Sequence, residues 1–277
     1  MIVDTHLHVW SPNVNRWPFA SERAPSSEAT VEVLNETMDD AGVDKAVIVQ
    51  PIHYLYDNSY VADCLRRFAG KFAAIGLVDR HAPDAPDQLE RLVREHGFSG
   101  LRIHISKPDD PSEWAATDQD PIWDRADELG ASFVVYGPAA LLPAVEPIIA
   151  RHQNVVVALD HIGGAPTNEE PPYPLLSNVT RMAQYPNVYM KLTPQPHKSN
   201  EPFPHSDTFP TFRRLYDAFG PDRLMWGTNF PGVVAQTGYK PALEIFSDHI
   251  AFLTSQEKKL LLGETALKLY NFEGPPV

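Results

Sequence analysis

Cysteine is nearly missing from this chain: Cys64 is the single one in 277 residues. An internal disulfide and a thiolate zinc cage are therefore excluded. No apolar run approaches the ~20 residues that a bilayer-spanning helix needs. Positive charge is scarce as well. Lys and Arg number 23 against 36 Asp and Glu, a formal net charge of −13. Phosphate backbones call for a basic patch, so a nucleic-acid partner is not expected. Met1-Ile2-Val3-Asp4 lacks the basic-then-apolar pattern of a secretory signal. The expectation is a soluble, cytoplasmic protein with neither membrane nor nucleic acid as partner, self-association into a homo-oligomer being left open.

What is present points to a packed globular unit. Hydrophobic residues make up 43% and aromatics 10%, enough for a core. Proline is abundant, at 27 residues, about twice the usual ~5%. It falls mostly between periodic segments and stiffens loops.

Eight short apolar runs read as strands: Ile2–Val9, Ala46–Gln50, Ala74–Val78, Leu101–Ile105, Phe133–Tyr136, Val155–Leu159, Val188–Leu192 and Arg223–Trp226. They are continuous rather than alternating, as in strands covered on both faces of a parallel sheet. Amphipathic stretches lie between them: Glu28–Ala41, Asn58–Ala69, Gln88–His96, Pro121–Leu129, Ala139–Arg151, Asp207–Phe219, Pro241–Leu253 and Gln256–Tyr270. Gly42, Gly70, Gly97 and Gly130 follow the first four and read as left-handed caps. The alternation predicts one α/β domain over residues 1–277, a closed (β/α)₈ TIM barrel. An open doubly wound sheet is the rival, but no Gly-rich phosphate turn follows the first strand. Four irregular stretches, Ser11–Ser27, His104–Asp120, Gly163–Pro174 and Pro194–His205, are long enough to be functional.

The sharpest chemical signal is Asp4-Thr5-His6-Leu7-His8. Alternate residues of a strand share a face, so His6 and His8 point together, with Asp4 deeper on the same face. Such a pair can chelate one metal ion or flank one substrate. The plainer alternative is two histidines satisfied by the backbone. Asp160-His161-Ile162-Gly163-Gly164 ends the sixth strand and would bring His161 to the same mouth; the plainer alternative makes Asp160 a strand-end cap. Asn229, after the eighth strand, faces the mouth or forms a turn. Arg102 and His104 alternate on the fourth strand. A buried arginine demands an anion, either a substrate or a protein carboxylate, and Lys191 poses the same choice. His53, Tyr54, Arg80 and His81 are weaker pocket candidates. His197 and His205 belong to a lid or to an exposed loop.

Together these pieces resemble the amidohydrolase superfamily, in the branch of small lactonases and related decarboxylases. The carrying segments are Asp4–Trp10, Val49-Gln50-Pro51, Gly100-Leu101-Arg102, Leu159–Gly164, Asn187–Leu192 and Trp226–Pro231, in the family's order and over nearly the whole chain. The resemblance implies a hydrolase that opens a small, carboxylated cyclic ester by water attack at the barrel mouth. His6, His8 and His161 would polarise the carbonyl, directly or through one divalent cation such as Zn²⁺, or with none bound. Arg102 and Lys191 would grip an anionic small-molecule substrate, with Tyr136, His104 and Gln50 beside them. Position 229 would activate water, together with His6, His8 and His161 as the catalytic set. Two departures stand out. The family has aspartate where this chain has Asn229, and asparagine accepts no proton at neutral pH. Many metal-dependent members carry a histidine on strand five, where Tyr136 stands here. Two alternatives follow. One is a decarboxylase or hydratase, which would want both missing groups. The other is a silenced ligand-binding form, its asparagine natural or engineered, with His104 or His161 as the base if catalysis survives.

Overall fold

The computed structural model describes residues 1–20, 24, 25, 27–106 and 111–274. Parts of the stretches Ser11–Ser27 and His104–Asp120 therefore lie outside the described residues. Eight strands form one sheet: β1 Val3–Leu7, β2 Lys45–Val49, β3 Phe72–Gly76, β4 Gly100–His104, β5 Ser132–Tyr136, β6 Val157–Leu159, β7 Val188–Leu192 and β8 Leu224–Trp226. They run in sequence order, every neighbouring pair parallel. Helices connect them and cover the outside, as crossover connections between parallel strands require. The result is the (β/α)₈ barrel.

Closure comes at the seam between β1 and β8. A single parallel bridge, Leu7 to Phe230, links the two edges. Around it the chain supplies other bonds. The Asn229 and His8 amides donate to His6 and Phe230 carbonyls at 2.8 and 2.9 Å, and Thr5 Oγ1 donates to the Trp226 carbonyl at 2.7 Å. Gly227 permits the approach: a Cβ there would stand 2.8 Å from His6 Cβ.

Strand faces are buried on both sides, as the continuous apolar runs predict. The outer faces pack on helices in one large cluster that includes Leu7, Ile48, Phe72, Phe133 and Leu159. A second cluster joins Val47, Val49, Ala73, Ile75, Val134, Ala158 and Met225 to Tyr270 and Phe272 of the C-terminal segment.

The helix reading needs correction at several places. Pro111–Ala115, inside the irregular stretch His104–Asp120, is helical, as are Pro174–Arg181 and Gly232–Gln236, which no amphipathic stretch predicts, and the expected helix Gln256–Tyr270 is interrupted by a π turn, Leu260–Glu264. The expected helix Pro241–Leu253 is Tyr239–Glu244 followed by a wide π turn, Ile245–His249. Gly70 caps nothing, because the helix ends at Arg67; Gly42, Gly97 and Gly130 are left-handed caps as expected.

Candidate active site

The site begins at the seam. The Asp4 carboxylate accepts from the His6 amide (3.1 Å), the Thr228 amide (2.9 Å), the Thr228 hydroxyl (2.5 Å) and the Tyr239 hydroxyl (2.9 Å). One buried side chain thus ties β1 to the segment after β8. Burial pushes Asp4 up to about 6, against four hydrogen bonds that favour the anion.

Three histidines meet above it. The His6 ring lies 5.0 Å from that of His8 and 4.3 Å from that of His161, centroid to centroid. Their partners fix two protons. His8 Nδ1 is 2.8 Å from the Val49 carbonyl, which can only accept, so Nδ1 carries the proton and Nε2 a lone pair. His6 Nδ1 is 3.0 Å from Asp160 Oδ1, and a carboxylate imposes the same tautomer. His6 Nε2 is buried with no partner. His161 Nδ1 faces Thr193 Oγ1 at 3.2 Å, a hydroxyl that serves either tautomer. Burial holds all three imidazoles neutral: His8 falls to about 3, His161 to about 4, and His6 well below its ordinary value. His161 takes a left-handed backbone, φ 51°, as does Ile162; the Gly-rich turn after β6 lets Asp160 and His161 diverge.

Asp160 is the surprise. The plainer alternative made it a strand-end cap; instead it is fully buried and central. Besides His6 it holds Lys191 Nζ at 3.1 Å and Arg102 at 3.1 Å. Burial alone would raise its pKa, but His6, Lys191 and Arg102 outweigh that and hold it well below the usual carboxylate range. Both cations expected at the substrate are thus met by a protein carboxylate. Lys191 is wholly buried and is not part of the cavity wall described below. Arg102 differs: its guanidinium lies 4.3 Å over the Tyr136 ring and lines the cavity. Gln50 is also withdrawn, its amide donating to the Leu55 and Asp57 carbonyls, so it shapes the loop after β2.

A cavity of about 1100 Å³ opens at the C-terminal ends of the strands. Its wall includes His8, Arg102, His104, Tyr136, His161 and Asn229. Asn229 sits at φ 64°, its backbone pinned to His6. Burial lowers His104 to about 4, helped by Arg102. Among the described residues, the formally charged groups of the wall are Arg102 and Lys198; no carboxylate lines it. Lys198 was not singled out from sequence, although His197 beside it was named for a lid. The long loop after β7 was the available signal. His205 is elsewhere, bound to Thr237.

The amidohydrolase family model matches residues 3–272. The chain belongs to the amidohydrolase family. Two curated relatives of this amidohydrolase are an L-fucono-1,5-lactonase of Burkholderia ambifaria, 26% identical over 83% of this chain and 80% of that one, and a 2-pyrone-4,6-dicarboxylate hydrolase of Comamonas testosteroni, 28% identical over 97% and 89%. A solved amidohydrolase of Burkholderia multivorans with bound zinc has the same fold: TM-score 0.79, 20% identity, 99% of this chain and 100% of that one. The amidohydrolase is an enzyme, and no helix among its described residues is long and apolar enough to cross a membrane.

Proposed function

We propose that this amidohydrolase, acting as one barrel unit, opens a small anionic lactone. One observation carries the reading: a chain of net charge −13 builds a mouth lined by two cations and, among the described residues, no carboxylate. Such a wall recruits an anion whatever the total charge. The names of the relatives support the ester class. Arg102 and Lys198 meet the acid group, and the neutral His8 and His161 flank the lactone carbonyl. Asn229 orients water through its amide but takes no proton. A neutral imidazole receives it: His104, or His161 where that ring holds no cation.

A divalent cation fits this donor set. His6 and His8 each present a bare Nε2, the His6 atom is buried without a partner, and His6, Asp160 and His161 bring ligand atoms within 4.8 Å of one another. His6, His8 and His161 would hold it, and when bound it would polarise the carbonyl. Asp160 is less suited as a ligand, its oxygens being shared among Arg102, Lys191 and His6.

Asn229 favours a second reading, a form that binds the lactone without turning it over. A panel of carboxylated and neutral lactones of one ring size separates the two. Ring opening is followed by proton release, and binding by calorimetry. Turnover that favours the carboxylated series supports the hydrolase. Binding without turnover supports the silenced form, and preference for neutral lactones sinks both.

A further inference from the structure

The mechanism above leaves the most connected side chain of the site without a task. Asp160 is buried behind the cavity; it directly follows β6 and reaches β1 through His6, β4 through Arg102 and β7 through Lys191. Its backbone is pinned by the Asp160 amide donating to the Val135 carbonyl at 2.9 Å. It is absent from the cavity wall, whereas Arg102 and its neighbour His161 are in it.

We propose that Asp160 is the positioning residue of this site: it dictates which nitrogen of His6 carries the proton and holds one edge of Arg102 so that the cation stays at the cavity. A neutral imidazole shares its proton between two nitrogens unless a partner chooses for it. Asp160 Oδ1 accepts at 3.0 Å from His6 Nδ1, which leaves Nε2 bare within a cluster of three rings. Lys191 and Arg102 supply the counter-charge that a buried carboxylate requires. The fully buried Lys191 therefore serves Asp160, and Asp160 serves Arg102 at the cavity wall and His6 directly behind it. This inference rests on the lactone reading for its kinetic arm alone.

The test uses ¹⁵N-histidine-labelled enzyme, its His6 signals assigned by loss in His6→Asn. In the parent enzyme the expected result is a protonated Nδ1 and a bare Nε2 on His6. A protonated Nε2 there overturns the proposal, and no variant is needed for that outcome. In Asp160→Asn the one acceptor oxygen is contested by Lys191 on the Oδ1 side and Arg102 on the Oδ2 side; once Lys191→Met removes the first claim, the oxygen turns to Arg102. The amide NH₂ then faces His6 Nδ1 and reverses the tautomer. Because Asp160→Asn strands two buried cations, the charge-balanced Asp160→Asn/Lys191→Met protein is measured beside it. Reversal of the His6 tautomer, with kcat down at least 100-fold on a carboxylated lactone, supports the positioning role. Lys191→Met alone keeps the His6 tautomer and stays within about tenfold of the parent kcat. A folded double variant that keeps the parent tautomer, or a kcat within threefold of the parent, overturns it. If the parent opens no lactone, the lactone reading falls while the tautomer measurement still decides this one.

Discussion

Position 229 holds an amide where the family resemblance implies a base, and its backbone is left-handed at φ 64°. Asparagine and aspartate both tolerate that conformation, so Asn229→Asp tests chemistry with little disturbance of the chain. The expected result is a rise in kcat of about 100-fold or more, the scale of general-base help. An unchanged kcat on the preferred lactone would move the base to a histidine. Arg102 calls for a revised expectation. Had its charge been met by substrate alone, Arg102→Ala would raise KM and leave Tm untouched. Asp160 lies 3.1 Å away, so both should move. Loss of a charge-assisted contact of about 1.5–3 kcal/mol raises KM roughly 10- to 100-fold for a carboxylated lactone. Tm should fall by several degrees, because Asp160 loses one of two cations in a buried cluster. Steady-state kinetics and calorimetry read the two effects separately. A Tm shift without a KM shift assigns Arg102 wholly to Asp160.

At the scale of elements, β1 and the residue just past it carry two of the three histidines, yet the strand is laddered on one side only. Its other side is the seam to β8, where Gly227 packs against His6. Gly227→Ala should therefore lower Tm and cut kcat together, since the added methyl displaces the strand that aims His6 and His8. Thermal melts and kinetics on one preparation check the pairing; a variant with parent Tm would show that the seam yields without cost. The strands were legible because residues buried on both faces leave uninterrupted Val, Ile and Leu. Leu192 and Val188 bound β7 as expected, and elsewhere the ends moved by a few residues. The helix Pro174–Arg181 was not legible. It is short, starts on a proline after a proline-rich stretch and buries only Leu176 and Val179, so it leaves little periodic trace. The histidine cluster was legible from strand alternation. The role of Asp160 was not, since its partners come from three other strands and depth along a barrel axis leaves no periodicity. The same blindness hid the burial of Lys191 and the turn of Gln50 away from the cavity toward the loop after β2.

For the whole molecule, acid is the natural stress. The buried imidazoles refuse protons when folded: His8 at about 3, His104 and His161 at about 4, against an ordinary 6.5. Below pH 6.5 the unfolded chain takes up protons that the folded chain does not. The stability these groups allow above pH 6.5 is therefore lost as pH falls toward 4. Asp4 works in the opposite sense. Its folded pKa of about 6, above the ordinary 3.8, contributes stability below 3.8 that disappears as pH rises through 6. One carboxyl against three imidazoles leaves a net loss on acidification. Tm should decline between pH 6.5 and 4; a flat profile would mean that the rings are already charged in the fold.

The wall of the mouth also bears on how a reaction ends there. Ring opening turns an ester into a free acid, so the product leaves with one more negative charge than the substrate brought. In the proposed lactone reaction Arg102 and Lys198, with no carboxylate beside them among the described residues, would attract the departing molecule more strongly than the arriving one, and escape is the step expected to govern turnover. Progress curves should bend well before substrate is consumed, added hydroxy-acid product should compete with a Ki below the substrate KM, and rising ionic strength should relieve the inhibition as screening weakens the hold.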